Sequence, residues 1–186
     1  MYWKLITIIM NLLNIKIITD HLRLLPTSEQ YAEDIFKEFT SELTIHMFPK
    51  PADKIEETIS FIQSSREKMQ KGEELQVVIQ NKETNEFIGH GGIHGINTET
   101  PELGIWIKVG AHGHKYGREA VTGLKSWIDK NIKYTHITYP VDRNNIASRK
   151  IVDSLGGIVK KEYKKQSLNN TILDIVEYLI YPSNKK

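Results

Sequence analysis

Apolar and polar residues alternate along several short stretches of the chain, and this period of two predicts β-strands. The predicted strands are residues 15–25, 75–80, 86–94, 102–109, 135–141, 157–163 and 171–181. Pro26 ends the first strand, because proline has no N–H to donate to a neighbouring strand. The polar residues 81–85 predict a hairpin between the second and third strands.

Four further segments carry apolar residues at the three- and four-residue spacing of an amphipathic helix. Their apolar positions are Tyr31, Ile35, Phe36 and Phe39; Ile55, Ile59 and Ile62; Ala120, Leu124, Trp127 and Ile128; and Ala147, Ile151 and Leu155. Residues of N-capping type precede three of these helices, namely Thr27 and Ser28, Asp53 with Glu56, and Asn144 with Asn145. Gly72 predicts the end of the second helix, which spans residues 53–71.

The order of the elements, β-α-α-β-β-β-α-β-α-β-β, predicts an α/β (α+β) fold in which helices cover the faces of a mixed sheet. The 186 residues suit one domain, since domains usually have about 100–200 residues. With 39% apolar and 26% charged residues, the composition is typical of a soluble folded protein. The sequence shows no internal repeat and no linker-like segment.

Charge and cysteine content exclude several classes of partner and kinds of site. The formal net charge of +2 gives no reason to expect a nucleic-acid or membrane partner. The absence of cysteine excludes disulfides, thiolate metal sites and cysteine nucleophiles. The seven histidines show no H-x-x-x-H pair with a nearby carboxylate, so we predict no metal site.

Residues 1–14 form an apolar N-terminal extension ahead of the domain, which we expect to occupy residues 15–186. The apolar stretch is too short for a membrane span, which takes about 20 residues. It has the length of a signal-peptide core, but no small-residue cleavage site follows, so we expect a cytoplasmic protein. A strand or helix packed on the domain, or on the partner subunit of a homodimer, is the simplest interpretation.

A loop with three glycines between the fourth strand and the third helix is the most informative segment. It runs VGAHGHKYGRE over residues 109–119. Such a loop exposes backbone N–H groups at a helix N terminus, where the helix dipole favours anions, so it predicts a phosphate or pyrophosphate site. The glycine spacing of three and four residues matches neither the P-loop nor the dinucleotide fingerprint. The alternative is a plain connection whose glycines serve only turn geometry.

A second strand–loop–helix unit covers residues 139–157. Asn144, Asn145 and Ser148 cluster at the start of its helix, where their side chains can cap the helix or face a ligand. The residues alone leave both interpretations open.

Together these segments resemble the GNAT superfamily of N-acetyltransferases, specifically its ribosomal-protein N-terminal acetyltransferase-like branch. The resemblance covers about residues 15–181. The family's acyl-CoA loop, [QR]-x-x-G-x-[GA], aligns locally with residues 112–117, and its N-x-x-S-x-x-[apolar]-x-x-x-L-G stretch with residues 145–156. The pattern T-x-x-L-x-L-x-P aligns with residues 19–26, and E-[LI]-G-[IY]-W-[IL] with residues 102–107.

The resemblance implies a single GNAT domain with a mostly antiparallel sheet of about six or seven strands and about four helices. It implies acetyl-CoA as cosubstrate, bound where the fourth and fifth strands splay apart, and an amine as acceptor. The residues it assigns to the acetyl-CoA site are Ile107, Lys108, Val109, His112, Gly113, His114, Lys115, Tyr116, Gly117, Arg118, Asn145 and Ser148.

Three positions depart from the family pattern. His112 stands where Arg or Gln is usual, and Lys115 where Gly is usual. Because only glycine is free at positive φ, Lys115 is expected to require ordinary backbone angles unless it is strained, which would reshape the loop. Val152 replaces a tyrosine that protonates the leaving thiolate in many relatives, and Ser148 matches the serine that this branch places near the sulfur.

For the catalytic base we favour Glu102, at the start of the fourth strand, acting directly or through water; the alternative is a solvated strand-end carboxylate. His94 is the second candidate, because an imidazole titrates near neutral pH. We expect backbone N–H groups between Gly104 and Lys108 to stabilise the carbonyl oxygen.

Two other functions remain open at this stage. The departures at Lys115 and Val152 are compatible with a CoA-binding protein that has lost or altered its catalysis. The apolar N-terminal extension is compatible with a role in surface binding, such as dimerisation. The sequence does not identify the acceptor amine.

Overall fold

The described part of the chain, residues 11–183 of a computed structural model, contains eight strands. They are β1 (Ile17–Ile18), β2 (Leu22–Pro26), β3 (Glu74–Asn81), β4 (Phe87–His94), β5 (Glu102–Ile107), β6 (Ile137–Asp142), β7 (Ile158–Gln166) and β8 (Ile172–Ile180). All eight form one sheet in the order β1-β2-β3-β4-β5-β6-β8-β7, and every neighbouring pair is antiparallel except β5 and β6.

Four α-helices complete the fold within residues 11–183: α1 (Ala32–Glu38), α2 (Ile55–Gln70), α3 (Tyr116–Asn131) and α4 (Ile146–Ser154). The larger core cluster packs α3 against one face of the sheet, through Ala120, Leu124 and Ile128. A smaller cluster packs α1 and α2 against the other face, through Ile35 and Ile62. The single mixed-sheet domain with four helices confirms the predicted fold class, with one strand more than expected.

The additional strand arises because the predicted strand of residues 15–25 reverses direction at its middle. Thr19 and Leu22 close the turn: the Thr19 N–H donates to the Leu22 carbonyl at 3.0 Å, and the Leu22 N–H donates to Thr19 Oγ1 at 3.1 Å. The alternating pattern continues through the turn, so periodicity alone does not reveal it. The prediction of one strand is therefore wrong here.

Helix termini and faces differ from the prediction at three helices. Neither Thr27 nor Ser28 caps α1, whose N-cap is Tyr31; Ser28 precedes a short 3-10 helix and makes no capping hydrogen bond through its side chain. Lys54, not Asp53, is the N-cap of α2, and the Asp53 carboxylate pairs with Lys50 Nζ at 2.7 Å. In α4 Ile151 and Leu155 pack against the larger core cluster as predicted, whereas Ala147 is exposed and Val152, which was not predicted to face inward, is fully buried. Gly72 ends α2 with a φ of 71°, as predicted.

Strands β5 and β6 are parallel and pair only at Glu102 and Thr138. Beyond that pair the two strands separate, which leaves one edge of β5 without a neighbouring strand. This is the separation that the family resemblance implies for the fourth and fifth predicted strands, which are β5 and β6 here. The gap is the feature of the fold that positions the site described below.

The apolar N-terminal segment is described only from residue 11 onward, and residues 1–10 lie outside the described residues. Leu12 is 2% exposed and belongs to the larger core cluster, with Leu13 packed beside it. Within residues 11–183, no helix is both long enough and apolar enough to cross a membrane.

Candidate functional site

A cavity of about 630 Å³ lies on the α1 and α2 face of the sheet, beside the gap between β5 and β6. Its floor is formed by β4 and β5, and its walls by both helices, the ends of β6 and α4, and the segment of residues 46–52. Asn145, Ser148 and Glu102 line it, whereas no residue of the segment 108–118 does. The cavity and the glycine-bearing loop are therefore two separate parts of the candidate site.

Three rows of side chains cross the floor, because directly opposed residues of neighbouring antiparallel strands share a face. From one end to the other the rows are Val78, His90 and Trp106; then Gln76, Gly92 and Gly104; then Glu74, His94 and Glu102. Successive rows are two residues apart along each strand, which is about 7 Å. The floor thus has an aromatic end, a glycine-containing middle and an acid–histidine end.

The acid–histidine end brings together both predicted bases. Glu102 is exposed and lies directly opposite His94 across the β4–β5 pair. Behind them, Glu74 is 4% exposed, and its Oε2 lies 3.1 Å from His94 Nδ1 and 3.6 Å from Lys68 Nζ. Burial alone would raise the pKa of Glu74, but the hydrogen bond with His94 and the nearby cationic groups outweigh it and lower that pKa. Glu74 therefore stays ionised and orients the His94 ring.

Sequence reasoning missed Glu74. Its only signal is a carboxylate at the start of the apolar strand around LQVVI, where a buried acid requires a partner. The partner, His94, is 20 residues away and becomes visible only when the strand register is known.

At the aromatic end, His90 is 5% exposed and its Nε2 has no hydrogen-bond partner in the described protein. Its ring stacks on Trp106, with centroids 6.2 Å apart, and meets the edge of Phe61 at 5.8 Å. Burial lowers the pKa of His90 to about 4, so the imidazole is neutral at physiological pH. A buried polar atom without a partner is uncommon in native proteins and calls for an explanation.

On the far side of the gap, Ser148 Oγ lies 2.9 Å from the hydroxyl of Tyr139 on β6. Tyr139 is 2% exposed, and burial raises the pKa of its hydroxyl, so the hydroxyl keeps its proton. Asn145 caps α4, because its Oδ1 accepts a hydrogen bond from the Ser148 N–H at 3.0 Å. The capping role of Asn145 holds Ser148 at the start of α4, facing the cavity.

The edge of β5 that faces the gap carries unpaired backbone groups. The Pro101 carbonyl accepts from the Thr138 N–H at 2.8 Å and so points toward β6. Because backbone groups alternate in direction along a strand, Ile105 and Ile107 point the same way, beyond the point where β6 has separated. The carbonyl of Ile107 is met by His112 Nε2 at 2.8 Å. The N–H groups of Ile105 and Ile107 therefore face the gap and have no β6 acceptor there.

This row leads to the loop that enters α3. Lys115 is the N-cap of α3 with φ 63° and ψ 11°, so a lysine adopts the left-handed conformation for which glycine is normally used. The loop backbone therefore has the glycine-like conformation at Lys115, and the expected ordinary backbone angles are not observed. The N–H groups of the first turn of α3 have no intrahelical acceptor and point to the loop side.

The side chains of the loop differ in their surroundings: some are exposed, two rings stack on each other, and one lysine is ion-paired. Lys115 and Arg118 are exposed, and the His114 and Tyr116 rings stack with centroids 5.4 Å apart. Lys108 is directed away, because its Nζ pairs with Glu86 at 2.7 Å. Gly117 lies where an added Cβ would meet the Ile151 side chain at 3.1 Å, so it permits the close approach of α3 and α4.

Two glycines of this loop offer a matched test of its backbone. Gly113 has φ 84° and Gly110 does not have positive φ, while an added Cβ would meet nothing within 4 Å at either position. We expect Gly113→Ala to lower the free energy of unfolding by about 1–2 kcal/mol through backbone strain. Gly110→Ala should leave it unchanged or raise it by up to about 1 kcal/mol. Urea unfolding of both variants measures the difference; equal stabilities would contradict the observed loop conformation.

Comparison with known proteins identifies one matching family and one relative of similar sequence. The acetyltransferase (GNAT) domain family matches residues 21–158. An uncharacterized protein of Methanocaldococcus jannaschii is 31% identical over 100 residues, which are 53% of this chain and 20% of that protein. The chain thus spans about one fifth of the length of this relative.

Solved structures with the same fold share little sequence with the chain. A Vibrio cholerae protein assigned as a ribosomal-protein-serine acetyltransferase is 19% identical, with a TM-score of 0.76, over 91% of this chain and 99% of that one. The L7/L12 α-N-protein acetyltransferase RimL, in complex with coenzyme A, is 16% identical, with a TM-score of 0.77, over 90% and 98%. The microcin C7 self-immunity acetyltransferase MccE, in complex with acetyl-CoA and AMP, is 21% identical, with a TM-score of 0.75, over 87% and 93%.

Proposed function

Because the chain belongs to the GNAT acetyltransferase family, we propose that it transfers an acetyl group from acetyl-CoA directly to a primary amine, at a protein N terminus or on a small molecule. The observation that carries this proposal is the gap between β5 and β6, which has a cavity with the candidate bases on one side and the loop that enters α3 at the end of β5. The start of a helix suits an anion. A thioester cosubstrate also fits a chain that has no cysteine.

The residues around the gap fit the parts of CoA. The N–H groups at the start of α3, with the charges of Lys115 and Arg118, suit the pyrophosphate. The free edge of β5 at Ile105 and Ile107 suits the amide-rich pantetheine arm, which can pair with it as a strand would. Bound acetyl-CoA supplies the activated acetyl group as a thioester.

The chain's own groups then act on the acceptor amine and on the thioester. Glu102 takes the proton that the amine must lose, directly or through a water, and His94 oriented by Glu74 is the second group able to do so. The N–H groups on the free edge of β5 stabilise the negative charge that develops on the carbonyl oxygen. As the nitrogen–carbon bond forms and the carbon–sulfur bond breaks, Ser148 donates a proton to the leaving sulfur and regains one from solvent through the cavity that it lines, and the Tyr139 hydroxyl keeps Ser148 oriented.

The names of the structural neighbours include ribosomal-protein acetyltransferases and a self-immunity acetyltransferase. The name of RimL supports a protein N terminus as one acceptor class in the proposal. The residues that line the cavity determine which amine is the acceptor.

Acetyl-CoA binding and thiol release test the proposal together. At about 100 times its Kd, a ligand that binds only the folded state stabilises it by about 2.7 kcal/mol, which is a clear rise in melting temperature. We expect this rise with acetyl-CoA, and release of free thiol when peptides with free N termini, polyamines or aminoglycosides are added. Binding without turnover on any amine would favour a CoA-binding protein with lost catalysis. Neither binding nor thiol release would refute the proposal.

A further inference from the structure

We infer that Phe39, Phe61, His90 and Trp106, the aromatic end of the cavity, select acceptor amines that carry an aromatic ring bearing a hydroxyl group, which His90 hydrogen-bonds through Nε2. This inference rests on the proposed acetyl transfer and specifies the substrate class of the same cavity. His90 is then a specificity-determining residue and does not take part in the chemical step.

The shape of the aromatic end favours a flat, apolar group. Phe39 and Trp106 pack at a centroid distance of 5.1 Å with their planes tilted by 45°, and His90 stacks on Trp106 at an angle of 23°. Phe61 meets His90 edge-on at 64°. Rings in such offset and edge-to-face arrangements have favourable positions for one further ring beside them.

The unpartnered Nε2 of His90 favours a hydroxyl on that ring. A neutral imidazole nitrogen either donates or accepts a hydrogen bond, depending on its tautomer. A hydroxyl group can do both, so it satisfies Nε2 in either tautomer. Leaving a buried polar atom unpaired is unfavourable, and a ligand that pairs it removes that penalty on binding.

The charge of the aromatic end disfavours a cationic group there. None of its four side chains carries a charge at neutral pH, since burial keeps His90 in its neutral form. A cation held in this end would lose its hydration without gaining a carboxylate partner from those four side chains. The acceptor's amine is therefore expected away from these four side chains, over the middle row at Gly104, with Glu102 in the row beyond it.

The spacing of the floor fits one ring between the amine and the hydroxyl. The row of Gly92 and Gly104 separates the row of His90 and Trp106 from that of His94 and Glu102. An added Cβ on Gly104 would meet nothing within 4 Å, so the floor is open at this point. An amine over Gly104 lies beside the free edge of β5, and the next row, about 7 Å away, contains His90.

His90 Nε2 is covered in the unliganded protein, so an acceptor reaches it only when a neighbouring ring moves. Phe61 is the ring freest to do so, because it is 43% exposed and stands on the outer helix α2. Binding is therefore expected to displace the Phe61 ring.

Tyramine and phenethylamine test the inference, because they differ only by the ring hydroxyl. We expect the kcat/KM of the wild type for tyramine to exceed that for phenethylamine about tenfold or more, the value of one well-placed hydrogen bond. His90→Phe should abolish this ratio, because within this variant tyramine no longer gains a hydrogen bond that phenethylamine lacks. His90→Gln, which keeps a hydrogen-bonding group, should retain part of the ratio. His136→Phe, the same substitution outside the cavity, should leave it unchanged.

A binding measurement separates this inference from the proposed function. The CoA-loaded protein is titrated with each amine while NMR follows the ring-nitrogen signals of His90, identified by their loss in His90→Phe. Shifts with tyramine but not phenethylamine support the inference even if no acetyl group is transferred, an outcome that would refute only the proposed function. Equal kcat/KM for the two amines, or no His90 shift with tyramine, overturns the inference whatever the turnover.

Discussion

Glu102→Gln is expected to lower kcat by about 10²–10⁴-fold, the contribution of a general base, while the KM for acetyl-CoA stays unchanged. Glutamine has the size of glutamate but accepts no proton from the amine. The loss appears in kcat because the amine must be deprotonated in the transition state, whereas the CoA contacts that we propose at α3 and the edge of β5 do not involve Glu102. Thiol release at saturating acetyl-CoA measures it.

Two further substitutions serve as controls for Glu102→Gln, one at a carboxylate outside the cavity and one at the second candidate base. Glu99→Gln changes an exposed acid three residues before Glu102 that does not line the cavity, and it should leave kcat unchanged. His94→Gln distinguishes the two bases: a large loss there, with Glu102→Gln near the wild-type rate, would assign the proton transfer to His94 and refute the role of Glu102. Both substituted positions are partly or largely exposed, so folding is expected to survive.

Stability is expected to fall by about 2 kcal/mol between about pH 7.5 and about pH 5 because of His90 alone. Its pKa is lowered from 6.5 to about 4, first by burial and further by the charge of His94, with Glu74 acting in the opposite direction. The unfolded chain therefore binds the proton more readily than the folded protein. The stabilising contribution is complete above pH 6.5 and is lost as the pH falls toward 4. Urea unfolding across this range measures it.

His90→Phe should flatten this part of the profile, and His136→Phe, which changes a partly exposed histidine outside the cavity, should preserve it. The carboxylates of Glu74, Glu119 and Asp129 act in a different window. Their pKa values are lowered in the folded protein, so their contribution is lost only as the pH falls below their ordinary values of 4.5, 4.5 and 3.8. A profile of His90→Phe identical to that of the wild type between about pH 5 and pH 6.5 would contradict a buried neutral His90.

The sequence predicted most elements because their signals are local. Alternation located β3 to β8, and helical spacing located the four helices. The prediction was wrong where a turn or a side-chain pairing determined where an element ends, as in the reversal at Thr19 and the N-cap of α2. The exposed Ala147 shows the same limit, because apolar spacing on a short helix fits more than one face.

The candidate site divides in the same way. Glu102, Ser148 and the loop of residues 109–119 were identifiable because each belongs to a contiguous motif. Glu74 and His90 were not, because their chemistry depends on burial and on cross-strand neighbours. The sequence around His90, FIGHGGIH, does not indicate that aromatic side chains enclose its ring.

The sequence by itself determined the family resemblance, the order of strands and helices from α1 onward, and the glycine-bearing loop that precedes α3. Only the tertiary structure decided that β5 and β6 separate after one pair, that Lys115 adopts a glycine-like conformation, and that the floor has an aromatic and an acid–histidine end. The physical reason is range: propensity, periodicity and motif spacing act over a few residues, whereas register, burial and the partner of a buried polar atom depend on segments far apart in the chain.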